Sequence, residues 1–201
     1  MDGRKQMKKI ILASGSPRRR ELLTQIGISF EVVKAEGEEK ITTDDPEEAV
    51  KEVAMQKAQE VAGRVDADVV IGADTVVAVD GEIMGKPKDP EDAVRMIHRI
   101  QGRDHEVLTG VAVILKKGEV ETTINFAETT RVHVFPMTEE EIQAYVASKE
   151  PMDKAGAYGI QGLFAAYVSG IEGDYNNVVG LPVGRLYQEV KAIADVDLRT
   201  L

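Results

Sequence analysis

The chain of 201 residues has no cysteine, no tryptophan, three histidines and no long apolar run. Without cysteine it can form neither disulfides nor thiolate metal sites, which suits a reducing cytoplasm. His98, His105 and His133 are not paired at metal-ligand spacing, so any bound metal is expected to be a hard, oxygen-ligated cation. No stretch approaches the ~20 apolar residues of a membrane span, and the opening MDGRKQMKK has no signal-peptide core, so no membrane partner is expected. Basic residues are also outnumbered. Against 35 Asp and Glu stand 25 Lys and Arg, and the net charge of −10 argues against broad nucleic-acid binding. A polyanionic small molecule stays within reach if positive charge or a metal gathers in one cleft. With 43% hydrophobic and 30% charged residues the composition is that of a globular protein. A chain of this length buries about 70% of its extended surface as one domain, with residues 1–8 read as a polar tail.

Strand and helix signals alternate along the chain. Strand 9–13 feeds a helix over 17–26 that Gly27 stops, and Phe30 to Val33 reads as a second strand. Asp45-Pro46-Glu47-Glu48 opens a helix through about Ala62. Val69 to Gly72 reads as a short buried strand, and 75–79 with 82–84 as a separate hairpin turning at Asp80-Gly81. Asp89-Pro90-Glu91-Asp92 starts another helix, with Ala93, Met96, Ile97 and Ile100 on one face and Gly102 after its end, and long strands over 105–115 and 119–135 follow. Thr138 to Glu141 is a capping box for a helix to about Ser148. A Gly-rich loop, a strand over 163–169, a Gly/Asn turn region and a helix from Pro182 to Ala194 complete the chain. The pattern is one α/β unit with no internal repeat.

The most informative stretch is Leu12-Ala13-Ser14-Gly15-Ser16-Pro17-Arg18-Arg19-Arg20, where an apolar strand turns into a helix. A small Ser/Gly turn lets backbone approach a ligand, and helix N-terminal N–H groups point at any anion placed there. Arginines on the first turn add forks suited to phosphate oxygens, although a plain Ser-Pro helix start with solvent-facing arginines has the same sequence. Ser14/Ser16, Glu36 and Asp74 each fall just beyond a predicted strand end, where open α/β sheets bind ligands. Paired carboxylates there suit Mg²⁺ or Mn²⁺, with positions left for phosphate and water. Lys57 occupies a core-facing slot in the stripe Val50, Val53, Ala54, Val61. It is either a snorkelling stem or a cation turned inward toward phosphate. Lys86, between Gly85 and Pro87, is either a cation over the cleft or a surface-turn lysine. Gln161, in the Gly/Ala-rich run 153–162, offers the donor and acceptor that a flat base edge requires, unless the glycines serve only backbone geometry.

Together the motifs LASGSPRR (12–19), GADT (72–75), GKP (85–87), HxVxTGVA (105–112), DKAGAYGIQG (153–162) and VVGLPV (178–183) closely resemble the Maf family of nucleoside triphosphate pyrophosphatases. The resemblance runs from Lys9 to about Val190. It implies a mixed, twisted sheet flanked by helices, related to the inosine triphosphate pyrophosphatases, with an active cleft between two lobes and often a homodimer. The implied reaction is hydrolysis of a nucleoside triphosphate to monophosphate and pyrophosphate, by metal-assisted attack of water at the α-phosphorus. On this resemblance Ser14, Ser16 and Arg19 hold phosphates, and Glu36 and Asp74 bind or orient metal and water. Asp74 takes the proton, and Lys57 and Lys86 neutralise phosphate charge. Arg18, Thr75 and Gln161 match the subgroup acting on dTTP and UTP. The family's link to septum formation suggests an alternative, a nucleotide-binding regulator of division with incidental turnover.

Overall fold

The computed structural model describes residues 9–201, so the polar tail read over residues 1–8 lies outside the described residues. Its centre is a seven-stranded mixed sheet in the order β2-β1-β3-β5-β6-β7, with β4 paired to β3. The strands are β1 (Ile10–Leu12), β2 (Glu31–Val32), β3 (Val69–Val79), β4 (Glu82–Met84), β5 (Asp104–Lys117), β6 (Val120–Val134) and β7 (Val168–Glu172). The helices are α1 (Pro17–Gln25), α2 (Pro46–Arg64), α3 (Pro90–Ile100), α4 (Glu139–Ala147), α5 (Tyr175–Val179) and α6 (Val183–Ala194). Strands β2, β1 and β3 run parallel, and the other pairings are antiparallel. Among the described residues no helix is long and apolar enough to cross a membrane.

The caps form where the sequence places them. Asp45 accepts the N–H groups of Glu47 and Glu48, and Thr138 with Glu141 closes a reciprocal capping box. Successive strand residues face opposite sides of the sheet, and two cores result. On one side Leu12, Ile71, Ala73 and Val77 pack with residues of α1, α3, α4 and α6. On the other, Ile11, Val70, Ala112 and Ile114 pack under Ala54, Ala58 and Val61 of α2.

Two expected boundaries shift. The chain does not break after Gly72: β3 runs unbroken from Val69 to Val79, in register with β5 from Val69↔Leu115 to Ala78↔Glu106. The small residues of GADT read as a turn, but each of the four is paired with β5, from Gly72↔Ala112 to Thr75↔Thr109. Gly72 is bare because α2 lies on it. A Cβ at Gly72 would collide with the Ala54 carbonyl oxygen, and one at Gly110, opposite Asp74, with that of Val50. The strand expected over 163–169 is instead a 3₁₀ turn, Leu163–Tyr167, followed by β7. The turn buries Phe164 completely, with its ring 5.1 Å from Tyr145 and 4.6 Å from Tyr158. The Gly/Asn region holds a short helix, α5, capped by Asp174 and ended by Gly180 at φ 133°.

Candidate active site

β1 stops at Leu12 while its neighbour β3 continues to Val79, which leaves a notch beside β3. The Ser-Gly-Ser turn and the start of α1 fill the head of this notch. Ser16 is the N-cap of α1 but makes no side-chain cap bond, and no acid sits in the first turn. The early N–H groups of α1 are therefore left for an anion. The buried Ser14 hydroxyl accepts from the Ser16 N–H at 3.3 Å and from Arg19 at 3.1 Å.

Arg19 is buried, and its fork is committed to the protein. It donates to Ser14 Oγ, to the Ala73 carbonyl at 2.9 Å, to the Gly180 carbonyl at 2.8 Å and to Thr75 Oγ1 at 3.0 Å. Burial depresses its pKa and the Asp74 carboxylate opposes that, but a guanidinium stays protonated at any working pH. The site thus carries a fixed positive charge that ties α1, β3 and the α5–α6 junction together. Thr75 extends the network to Thr109 Oγ1 at 2.9 Å, and Thr109 donates to the Asn177 carbonyl at 3.1 Å.

Asp74 shares the α2 face of β3 with Gly72, because strand side chains alternate. The close approach of α2 at Gly72 and Gly110 brings Lys57 over Asp74, with Nζ 2.8 Å from Oδ1. The Lys57 ammonium therefore turns inward, onto a carboxylate. The same ammonium lies 2.8 Å from Glu39 Oε1. Glu39 went unread in the sequence, and Glu36 turns elsewhere, its carboxylate 3.4 Å from Arg64. The cause is a ladder on α2. Glu60 accepts the Glu36 and Gly37 N–H groups, Gln56 bonds both N–H and carbonyl of Lys40, and Glu52 accepts the Thr42 N–H. Residues 52, 56 and 60 share one helix face, so they strap the acidic segment along α2 and set Glu39 level with Lys57. Lys86 is exposed and pairs with no carboxylate among the described residues; its turn is docked by the Gly156 N–H on the Gly85 carbonyl at 3.0 Å.

Arg18 and Gln161 meet at a cavity of about 300 Å³, which Glu21, Glu150 and Lys154 also line. A larger cavity, about 380 Å³, lies along α2 beside Asn125 and contains no motif residue. Among the described residues no group of three or more His, Asp or Glu is arranged to hold a metal by itself. Asp74 and Glu39 nevertheless converge on one ammonium. Two such oxygen donors fit Mg²⁺ or Mn²⁺, which commonly take one or two carboxylates and complete their shell with water and substrate phosphate.

Residues 9–193 match the family described as Maf-like protein. The chain belongs to the Maf family. A relative from Agathobacter rectalis, named dTTP/UTP pyrophosphatase, is 52% identical, over 93% of this chain and 98% of that protein. One of the same name from Bacillus cereus strain B4264 is 49% identical, over 96% and 98%. Among solved structures, the Staphylococcus aureus Ham1 protein is similar at TM-score 0.45 and 17% identity, over 63% of this Maf chain and 72% of that one.

Proposed function

We propose that this Maf protein hydrolyses dTTP and UTP to the nucleoside monophosphate and pyrophosphate. The observation that carries the reading is Lys57 Nζ at 2.8 Å from both Asp74 and Glu39, beside an α1 N-terminus left open to an anion. The names of relatives at about half identity support the substrate.

In this reading the triphosphate lies in the notch, its oxygens taking the Ser14–Ser16 turn, the first N–H groups of α1 and the Ser16 hydroxyl. Lys57 and Lys86 offset its charge. Arg19 supports the phosphates through the positions of Ser14 and Thr75 more than by direct contact, since four of its five N–H donors are already engaged. Water attacks the α-phosphorus, an oxygen–phosphorus bond forms, the bond to the bridging oxygen breaks, and pyrophosphate departs. The water proton passes to Asp74 through Oδ2, because Oδ1 is held by Lys57. A divalent cation held by Asp74 and Glu39, in the role first read for Glu36, would supply charge neutralisation on the phosphates. The remaining help is positioning and electrostatics, which this chemistry mostly requires. Arg18 and Gln161 face the base across their cavity; Gln161 can meet both the O4 acceptor and the N3 donor of thymine or uracil.

A cytoplasmic setting and a homodimer complete the reading, and light scattering on the purified protein tests the dimer. Pyrophosphate release from a panel of triphosphates, with Mg²⁺ or Mn²⁺ and with EDTA, tests the activity. Release led by dTTP and UTP and abolished by EDTA is expected; a purine triphosphate in first place would refute the substrate assignment.

A further inference from the structure

Gln161 lies in a tight turn closed by the Gly162 N–H donating to the Gly159 carbonyl at 3.2 Å. The leg that follows Gln161 is tied to Glu150, which Tyr145 holds in turn. The Leu163 N–H donates to Glu150 Oε2 at 2.9 Å, and the Tyr145 hydroxyl donates to Glu150 Oε1 at 3.1 Å. Gly162 rests on the Glu150 carboxylate so closely that a Cβ there would run into it.

The support beneath is equally fixed. Glu150 has its own N–H on Ser148 Oγ at 3.2 Å and its carbonyl on Lys154 Nζ at 2.7 Å. Tyr145 is buried, its ring against Phe164. Nothing in the packing demands a carboxylate here. Glu150 is half-buried and makes no salt bridge among the described residues, because the neighbouring Lys154 pairs with Asp153. Its carboxylate meets an amide and a phenol and no cation, and a neutral residue would fill the space. Its Oε2 instead binds the turn two residues after Gln161, at the cavity that Gln161 shares with Arg18. An amide discriminates between bases only if it is held in place, because a mobile one swings to offer donor or acceptor as the ligand requires.

We propose that Glu150, oriented by Tyr145 and acting through the backbone of Gly162 and Leu163, is a positioning residue for base selection. It fixes the Gln161 amide so that a 4-keto pyrimidine is accepted and a 4-amino pyrimidine is rejected. The proposal rests on the reading that Gln161 contacts the base. The phosphate half of the site lies on other elements and is independent of this clip.

The test compares kcat and KM for dTTP and dCTP, and inhibition by inorganic pyrophosphate, in Glu150→Ala, Glu150→Gln, Tyr145→Phe and Gln161→Ala. Glu150→Ala should lower the dTTP:dCTP ratio of kcat/KM by roughly 10-fold, the scale of one lost charge-assisted bond. The change should appear in KM, with kcat and pyrophosphate inhibition nearly unchanged. Glu150→Gln, which keeps one acceptor, should recover part of the ratio, and Tyr145→Phe should shift it in the same direction by less. If Gln161→Ala collapses the ratio while the Glu150 and Tyr145 variants keep it, the clip is refuted and base reading by Gln161 stands. If Gln161→Ala leaves the ratio intact, base reading fails and the clip with it. Equal loss of pyrophosphate inhibition would make Glu150 a general structural residue and overturn the proposal. Should Glu150→Ala not fold, Glu150→Gln and Tyr145→Phe decide by the same criteria.

Discussion

Lys57 organises the site before any substrate arrives. Its side chain is 17% exposed, and taking a charge out of water is tolerated only with partners in place, which Asp74 and Glu39 provide. Asp74→Asn keeps the shape and removes the base, so it should fold normally and lose at least ~10²-fold in kcat, the scale of general-base help. Near-normal turnover would remove Asp74 from that role. Glu39→Gln should raise the Mg²⁺ concentration for half-maximal rate by roughly 10-fold or more, the scale reported even for groups outside the first ligand shell. Glu36→Gln, altering a contact with exposed Arg64, should leave the metal requirement nearly unchanged; the reverse ranking would restore Glu36 as the ligand. Lys57 was visible in the sequence because a cation interrupts an apolar stripe at helical spacing. Glu39 was not, since an extended acidic segment has no periodicity to single out one carboxylate, and the choice lies with Glu52, Gln56 and Glu60 on another element.

At the scale of elements, the approach of α2 to the sheet decides whether Lys57 reaches Asp74. Gly72 and Gly110 permit it by presenting bare backbone to the Ala54 and Val50 carbonyls. Gly110→Ala should therefore destabilise the fold by about 1–3 kcal/mol, the usual cost of overpacking, and lower activity as Lys57 is displaced. Urea unfolding with a rate measurement checks both, and an unchanged midpoint would show that α2 yields freely. The same glycines explain the misplaced break in β3. Small residues mark a turn when they are exposed and a helix contact when they are buried, and local sequence does not separate the two. Boundaries carried by local chemistry came through, such as the Asp45 and Thr138 caps. The strand expected over 163–169 did not, because burying Phe164 among Tyr145, Tyr158 and Tyr167 overrides the local apolar run.

For the whole molecule, two histidines set opposing pH dependences. His105 is buried with Nε2 2.6 Å from the Tyr158 hydroxyl, and burial pulls its pKa down from 6.5 to about 4. The unfolded chain takes up a proton below about pH 6.5 that the fold refuses, so stability should fall as pH drops from there toward 4. Between pH 7.5 and 5 the loss is about 2 kcal/mol, and His105→Phe should lose that much less. An identical pH dependence in the variant would contradict the assignment. His133, between Asp104 and Glu172, is shifted upward by the Asp104 hydrogen bond first. Its contribution is complete below the unfolded value and fades as pH rises through the folded one. The central claim concerns which phosphorus the water attacks, and hydrolysis of dTTP in heavy-oxygen water tests it most directly. Label in dTMP, with none in pyrophosphate, is the expected result. Label in pyrophosphate, or release of labelled inorganic phosphate with dTDP, would contradict the account.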